Sequence, residues 1–162
     1  MEEKPVTPKF LTREIAAMAV QNVLPMIKNL SDVLRGQMCH IAILVPTQAG
    51  RAHVLYEHSL GDREQWFRKF NEIALNKAQQ RWDDRNDDRT DSMPHLLFPG
   101  ETPFWGGVKK YGIVVACSGF QPWFDKMISN IVADTCIALA YNAWMISKEK
   151  EDITKGPVAF LS

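Results

Sequence analysis

From Thr12 onward, apolar residues recur at steps of three and four: Ile15, Met18, Ala19, Val23, Met26, Ile27, Leu30 and Leu34. That spacing places them on one stripe of a helix, with Thr12 as its N-cap and Gly36 positioned to end it. Pro25 falls inside the pattern and predicts a kink or split there, because proline has no N–H to give to the preceding turn. The period then changes. Residues 39–45 form a short apolar, β-branched run of strand character, 46–50 read as a turn, and 52–56 return as a second strand. A second helix is predicted over 62–82, with Trp66, Phe70, Ile73 and Ala74 as its apolar stripe. Past Pro99-Gly100 a second hairpin begins, in which Phe104 and Trp105 lead into Gly106-Gly107. Its segment 111–118, Tyr-Gly-Ile-Val-Val-Ala-Cys-Ser, is apolar on both faces, so both faces should be covered. Residues 119–122 turn the chain into a final helix over 123–147, striped by Phe124, Met127, Ile128, Ile131, Thr135, Leu139 and Ile146.

The order is helix, hairpin, helix, hairpin, helix. Hairpins impose antiparallel pairing, so the predicted fold class is α+β, an antiparallel sheet clad by helices. Residues 10–147 make one domain. Residues 1–9 are expected to form a loose N-terminal arm. The tail, 148–162, is charged and then ends in Val158-Ala159-Phe160-Leu161, which is expected to dock on its own domain or on a neighbouring subunit.

Composition narrows the classes. With 162 residues, 46% hydrophobic and 23% charged, the chain can bury a core without disulfide or metal staples. Nineteen basic residues balance nineteen acidic ones. The missing basic excess argues against a nucleic-acid partner, and zero net charge is compatible with self-association. No apolar run approaches the roughly 18 residues that cross a bilayer. The first residues lack the basic and apolar regions of a signal peptide. Cys39, Cys117 and Cys136 are odd in number, far apart and in apolar surroundings, as buried reduced thiols are. The expected location is cytoplasmic. The run 83–92 holds five aspartates but lacks the central glycine and closing glutamate of a calcium loop, and reads as a solvated loop.

Among polar residues, Lys77 stands out. It lies seven residues after Phe70 and four after Ile73, so it shares their apolar face. A lysine there either anchors an anionic group, such as a ligand carboxylate, or forms a structural ion pair. Asp125 falls at the start of the last helix, where the macrodipole favours a carboxylate, and the backbone N–H groups there can also hold an anion. His53 and His58 are five apart, which on a regular strand puts them on opposite faces and unable to grip one metal. Either alone is able to ligate a heme iron, and His58 is the more accessible. His40 sits within an apolar strand, as a satisfied core histidine does. The aromatic set Trp66, Phe70, Phe104, Trp105, Trp123 and Phe124 fits a core or subunit interface, and also a wall for a flat ligand. Gly106-Gly107 lacks the Lys-Ser/Thr of a phosphate loop, and no nucleophile elbow or Cys-His pair is present.

Three stretches together resemble the GlcG/HbpS-like family. The helix segment 66–78, Trp-Phe-Arg-Lys-Phe-Asn-Glu-Ile-Ala-Leu-Asn-Lys-Ala, is similar to that family's central helix with its Ala-x-x-Lys-Ala core. Residues 98–104, Phe-Pro-Gly-Glu-Thr-Pro-Phe, resemble its glycine-rich loop, with Glu101 where members usually carry a second glycine. Residues 111–119, followed by Gln121, Pro122 and Asp125, resemble its "G-x-[IV]-x-V-SG" strand, turn and acidic helix start. The resemblance implies a profilin-like fold with about five antiparallel strands, assembled into dimers or larger rings, in a family associated with heme binding or degradation. It also makes Glu101 and Asp125 the partners to test for Lys77. Three functions follow: a homo-oligomeric small-ligand-binding protein, binding or degrading heme in a cleft near Lys77, Glu101 and His58; a non-catalytic assembly protein; or an enzyme using Lys77 with a carboxylate as an acid–base pair.

Overall fold

A computed structural model describes residues 8–85 and 94–148. Helix α1 spans Arg13–Asn29 and a single turn, α2, spans Ser31–Leu34; strands β1 (Cys39–Pro46) and β2 (Ala52–Leu60) follow, then α3 (Phe70–Trp82), β3 (Gly107–Lys110), β4 (Ile113–Ser118) and α4 (Pro122–Met145). The four strands form one antiparallel sheet in the order β2-β1-β4-β3. Helices α1 and α4 pack their buried residues, Val20, Val23, Ile27, Ile128 and Val132 among them, on Cys39, Ile41, Ile43, Val45, Val115 and Cys117. Helix α3 covers the opposite face, where Leu75, Ala78 and Trp82 meet Ala42, Leu44, Val114 and Ala116. Both faces of β1 and β4 are therefore covered, and every residue of β4 is buried.

The α+β class and the antiparallel sheet hold; the expected count of about five strands is matched only roughly. Among the described residues the sheet has four strands, so it matches the profilin-like layout only roughly. Residues 97–106 remain irregular, and Pro99 and Pro103 supply a reason, since neither has an N–H for a ladder. Strand β4 starts at Ile113, not at 111. Tyr111 and Gly112 both take positive φ, 50° and 78°, and form the two-residue turn from β3, with Tyr111 fully in solvent.

Thr12 caps α1 by accepting the Ile15 N–H at 3.2 Å. Pro25 does not split this helix. It and Gln21 both face solvent, so the carbonyl that loses its partner is open to water, and the helix ends only at Leu30. The left-handed residue that stops the following turn is Arg35, φ 61°, one position before the expected Gly36. Helix α3 begins at Phe70 rather than at 62. Asp62 instead caps a short 3-10 turn over Arg63–Gln65, and Trp66 is extended, its ring edge-on to His40 and tilted against Phe70.

The buried stripe of α4 is Asp125, Ile128, Ser129, Val132, Ala133 and Cys136, offset from the predicted one. The pattern of apolar residues alone misplaced it because two of its members are polar. Ile146, expected on the stripe, is 81% exposed. The three cysteines are free and buried, as expected. The aspartate-rich run 83–92 lies largely, and the apolar tail wholly, outside the described residues. No described helix is long and apolar enough to cross a membrane.

Candidate functional site

Lys77 and Asp125 meet in the interior, 48 residues apart in sequence. Lys77 leaves α3 on the same side as Ala74 and Ala78, and its stem is buried against the sheet. Its Nζ donates to Asp125 Oδ2 at 2.8 Å and to the Cys117 carbonyl at 3.0 Å, at the end of β4. An ammonium has three donors; the third has no partner among the described residues. Asp125 arrives from the first turn of α4, and its other oxygen accepts the Phe120 N–H at 3.1 Å, tying the turn that precedes the helix. Gly106 permits the approach: a Cβ there would lie 2.8 Å from that of Asp125 and 3.0 Å from the Pro122 carbonyl. Ser129 reinforces the same contact by donating to the Gly106 carbonyl at 2.8 Å.

Burial raises the Asp125 carboxyl from its ordinary 3.8 to about 6, against the opposing pull of Lys77. At neutral pH the group is still ionised. Cys117, also at the pair, is held well above the ordinary thiol value by burial and carries no charge.

Above this pair opens a pocket of about 190 Å³. Phe67, Phe70, Ile73, Phe104 and Phe120 supply apolar wall, while Lys77, Asp125, Ser118, Gln121 and Arg68 bring polar atoms to it. Ser118 is buried, and its hydroxyl finds no partner among the described residues. Arg68 lies at the exposed rim, with its guanidinium 5.0 Å from the Phe104 ring centroid. Gly119 closes one side through a φ of +147° and a backbone approach to Met38 that no side chain would allow.

One solved structure, described as the crystal structure of HbpS, superposes with a TM-score of 0.55 over 83% of this chain and 92% of that one, at 17% identity. The chain has an HbpS-like fold. No family profile matches the sequence. No curated protein matches it either.

Within this HbpS-like fold the other sequence-selected residues lie apart. Glu101 does not reach Lys77. It pairs with Arg85 through two contacts, Nε to Oε2 at 3.0 Å and Nη2 to Oε1 at 2.6 Å, and accepts the Phe98 N–H. The Arg85 hydrogen bond holds the Glu101 carboxyl below the usual carboxylate range. Next to it, Gln80 exchanges two hydrogen bonds with the backbone of Thr102, so this cluster fastens the 98–104 loop to the end of α3.

His58 is on the far side of the sheet, opposite Ile41, whose side chain belongs to the α1/α4 core. His53 faces that same side, opposite Val45, and this corrects the expectation of opposite faces. A bulge in β2 between Tyr56 and Val54 inserts one residue and reverses the alternation. Four partner positions still separate the two histidines, about 13 Å at strand rise. Among the described residues no group of His, Cys, Asp and Glu is arranged to hold a metal.

His40 is buried, as expected, and fully engaged: Nδ1 lies 2.8 Å from Ser59 Oγ and Nε2 2.9 Å from Glu57 Oε1. Burial lowers its pKa and Glu57 partly restores it. The pocket does not suit heme. No histidine lines it, and its volume is below the roughly 300–1,000 Å³ of sites that enclose drug-sized ligands. Sequence reasoning selected Lys77 and Asp125 but missed Arg68 and Ser118 as pocket groups. The strand that ends at Ser118 was visible; its closeness to α3 was not.

Proposed function

We propose that the chain is a homo-oligomeric small-ligand-binding protein whose site is the aromatic pocket above the Lys77–Asp125 pair. One observation supports this most: an apolar-walled pocket holds a buried ammonium with a donor left over, beside a serine hydroxyl that has no partner among the described residues. A buried charge pair is poor value as packing, since apolar residues of similar volume are often as stable or more so. Polar groups converging in an otherwise apolar pocket are the ordinary form of a small-molecule site. The size favours one aromatic ring: an engineered cavity of about 150 Å³ holds benzene.

Filling the pocket tests this. Ile73 is half-buried and lines it, so Ile73→Trp occupies the space without removing a polar group. In ligand-observed saturation-transfer NMR, single-ring compounds are expected to give signal with the wild type and to lose it with Ile73→Trp. Equal signal from both proteins removes the pocket as the site.

The oligomer rests on exposed aromatic side chains: Phe67 at 75%, Tyr111 at 88%, Trp123 at 58% and Tyr141 at 62%. So much large apolar surface favours covered faces in the assembled protein. Light scattering is expected to give at least a dimer mass at micromolar concentration, and a strict monomer removes this part.

A further inference from the structure

The pocket's polar groups are unequal in what they still have to offer. Asp125 accepts from Lys77 with one oxygen and from Phe120 with the other. The unspent capacity is on the donor side, in the third Lys77 N–H, the Ser118 hydroxyl and the Arg68 guanidinium. With Lys77 and Arg68 positive and Asp125 negative, the lining carries one net positive charge. These groups select an acceptor with negative charge. The walls of Phe70, Phe104 and Phe120 select a flat apolar body behind it.

Resting on the ligand-site reading above, we propose that the pocket takes a small monocarboxylate of about one aromatic ring. Its carboxylate sits on Lys77, Ser118 and Arg68, and one proton is taken up from solvent onto Asp125 as it binds. The proton follows from geometry. Of the two cations only Lys77 is buried, while Arg68 lies at the exposed rim where water screens it, so a second carboxylate brought onto that one ammonium raises the pKa of Asp125 further. Asp125, the more deeply buried of the two and already raised to about 6, takes the proton and leaves the ligand charged. Lys77 on α3 is the cation facing Asp125, and Arg68 is the second cation at the pocket. The groups facing it from the sheet are the Cys117 thiol and, beside that, Cys39, and burial keeps Cys117 neutral through this pH range.

Calorimetry with benzoate and its neutral isostere benzamide tests the idea, from pH 5.5 to 8 and in two buffers of different ionisation heat. Benzoate is expected to bind with proton uptake that rises towards one above pH 7 and fades below pH 6. Its affinity should fall about tenfold per pH unit above pH 6, the slope of a single linked proton. Benzamide should bind about tenfold more weakly at pH 6 and without that slope. Because Lys77 substitutions threaten folding, Arg68→Ala and Ser118→Ala serve as variants. Arg68→Ala is expected to weaken benzoate about five- to tenfold and benzamide by less, because it removes a charge; Ser118→Ala, which removes only a neutral donor, is expected to weaken both. Equal affinity of the two probes at pH 6, or a flat pH profile for benzoate, overturns the carboxylate inference while the pocket stands as a ligand site. Binding of neither probe overturns both.

Discussion

Lys77→Met lowers the unfolding free energy by about 3–5 kcal/mol near pH 7.5, the usual cost of removing one partner from a buried ion pair. The lysine side chain is 1% exposed and that of Asp125 2%, so the stranded carboxylate is left poorly solvated. The deficit should shrink with acid. Burial already raises the folded Asp125 to about 6, and losing the ammonium raises it further. A folded-state pKa above the unfolded one contributes stability that is present at low pH and lost as pH climbs through the folded value. Lys77→Met therefore gains on the wild type as pH is lowered from 7.5 towards 5. The double variant Lys77→Met with Asp125→Leu is expected to recover most of the loss at all pH values, because no buried charge remains. Urea unfolding at pH 5 and 7.5 measures all three. A double variant as unstable as the single one would place the cost in packing instead of charge.

Gly119→Ala is expected to cost about 2–4 kcal/mol, from overpacking combined with backbone strain. A methyl there would stand 2.3 Å from the Met38 carbonyl oxygen and 2.7 Å from the Cys39 Cα. Those are mostly backbone atoms at the start of β1, and they cannot swing aside as a flexible side chain would. The φ of +147° adds strain for any residue with a Cβ. The damage extends to the site, because this turn presents the Phe120 N–H to Asp125. Gly100→Ala is the control. It too has a positive φ, +86°, but open space around it, so it should lose only the conformational part, about 1 kcal/mol. Thermal unfolding of the two variants separates these contributions. Equal losses would mean that the close approach to Met38 costs nothing.

The parts of the fold that were legible in the sequence are those written in apolar periodicity: α1 from its Thr12 cap, β1, the body of β4 and the length of α4. Errors arose where polar residues sit on buried faces or where an irregularity breaks a period. Asp125 and Ser129 occupy the inner stripe of α4, so a stripe drawn through apolar residues alone came out rotated. The bulge in β2 put His53 and His58 on one face against simple alternation. Trp66 looked helical by spacing, yet its ring is drawn onto His40 and the helix starts later. At the site, the apolar setting of Lys77 was readable, while Asp125 entered as one of two partners to test only through the family resemblance. Nothing local could show that Glu101 belongs instead to Arg85, because that choice is made by the path of the 98–104 loop.

The central claim is that small ligands bind over the Lys77–Asp125 pair, between α3 and the start of α4. Amide chemical-shift mapping during a titration with a single-ring ligand tests it most directly. Shifts should concentrate at Phe67, Arg68, Ile73, Ser118, Gly119 and Phe120, which all belong to the pocket lining. Shifts gathered around His58 and the outer edge of β2, with those six unmoved, would contradict the account.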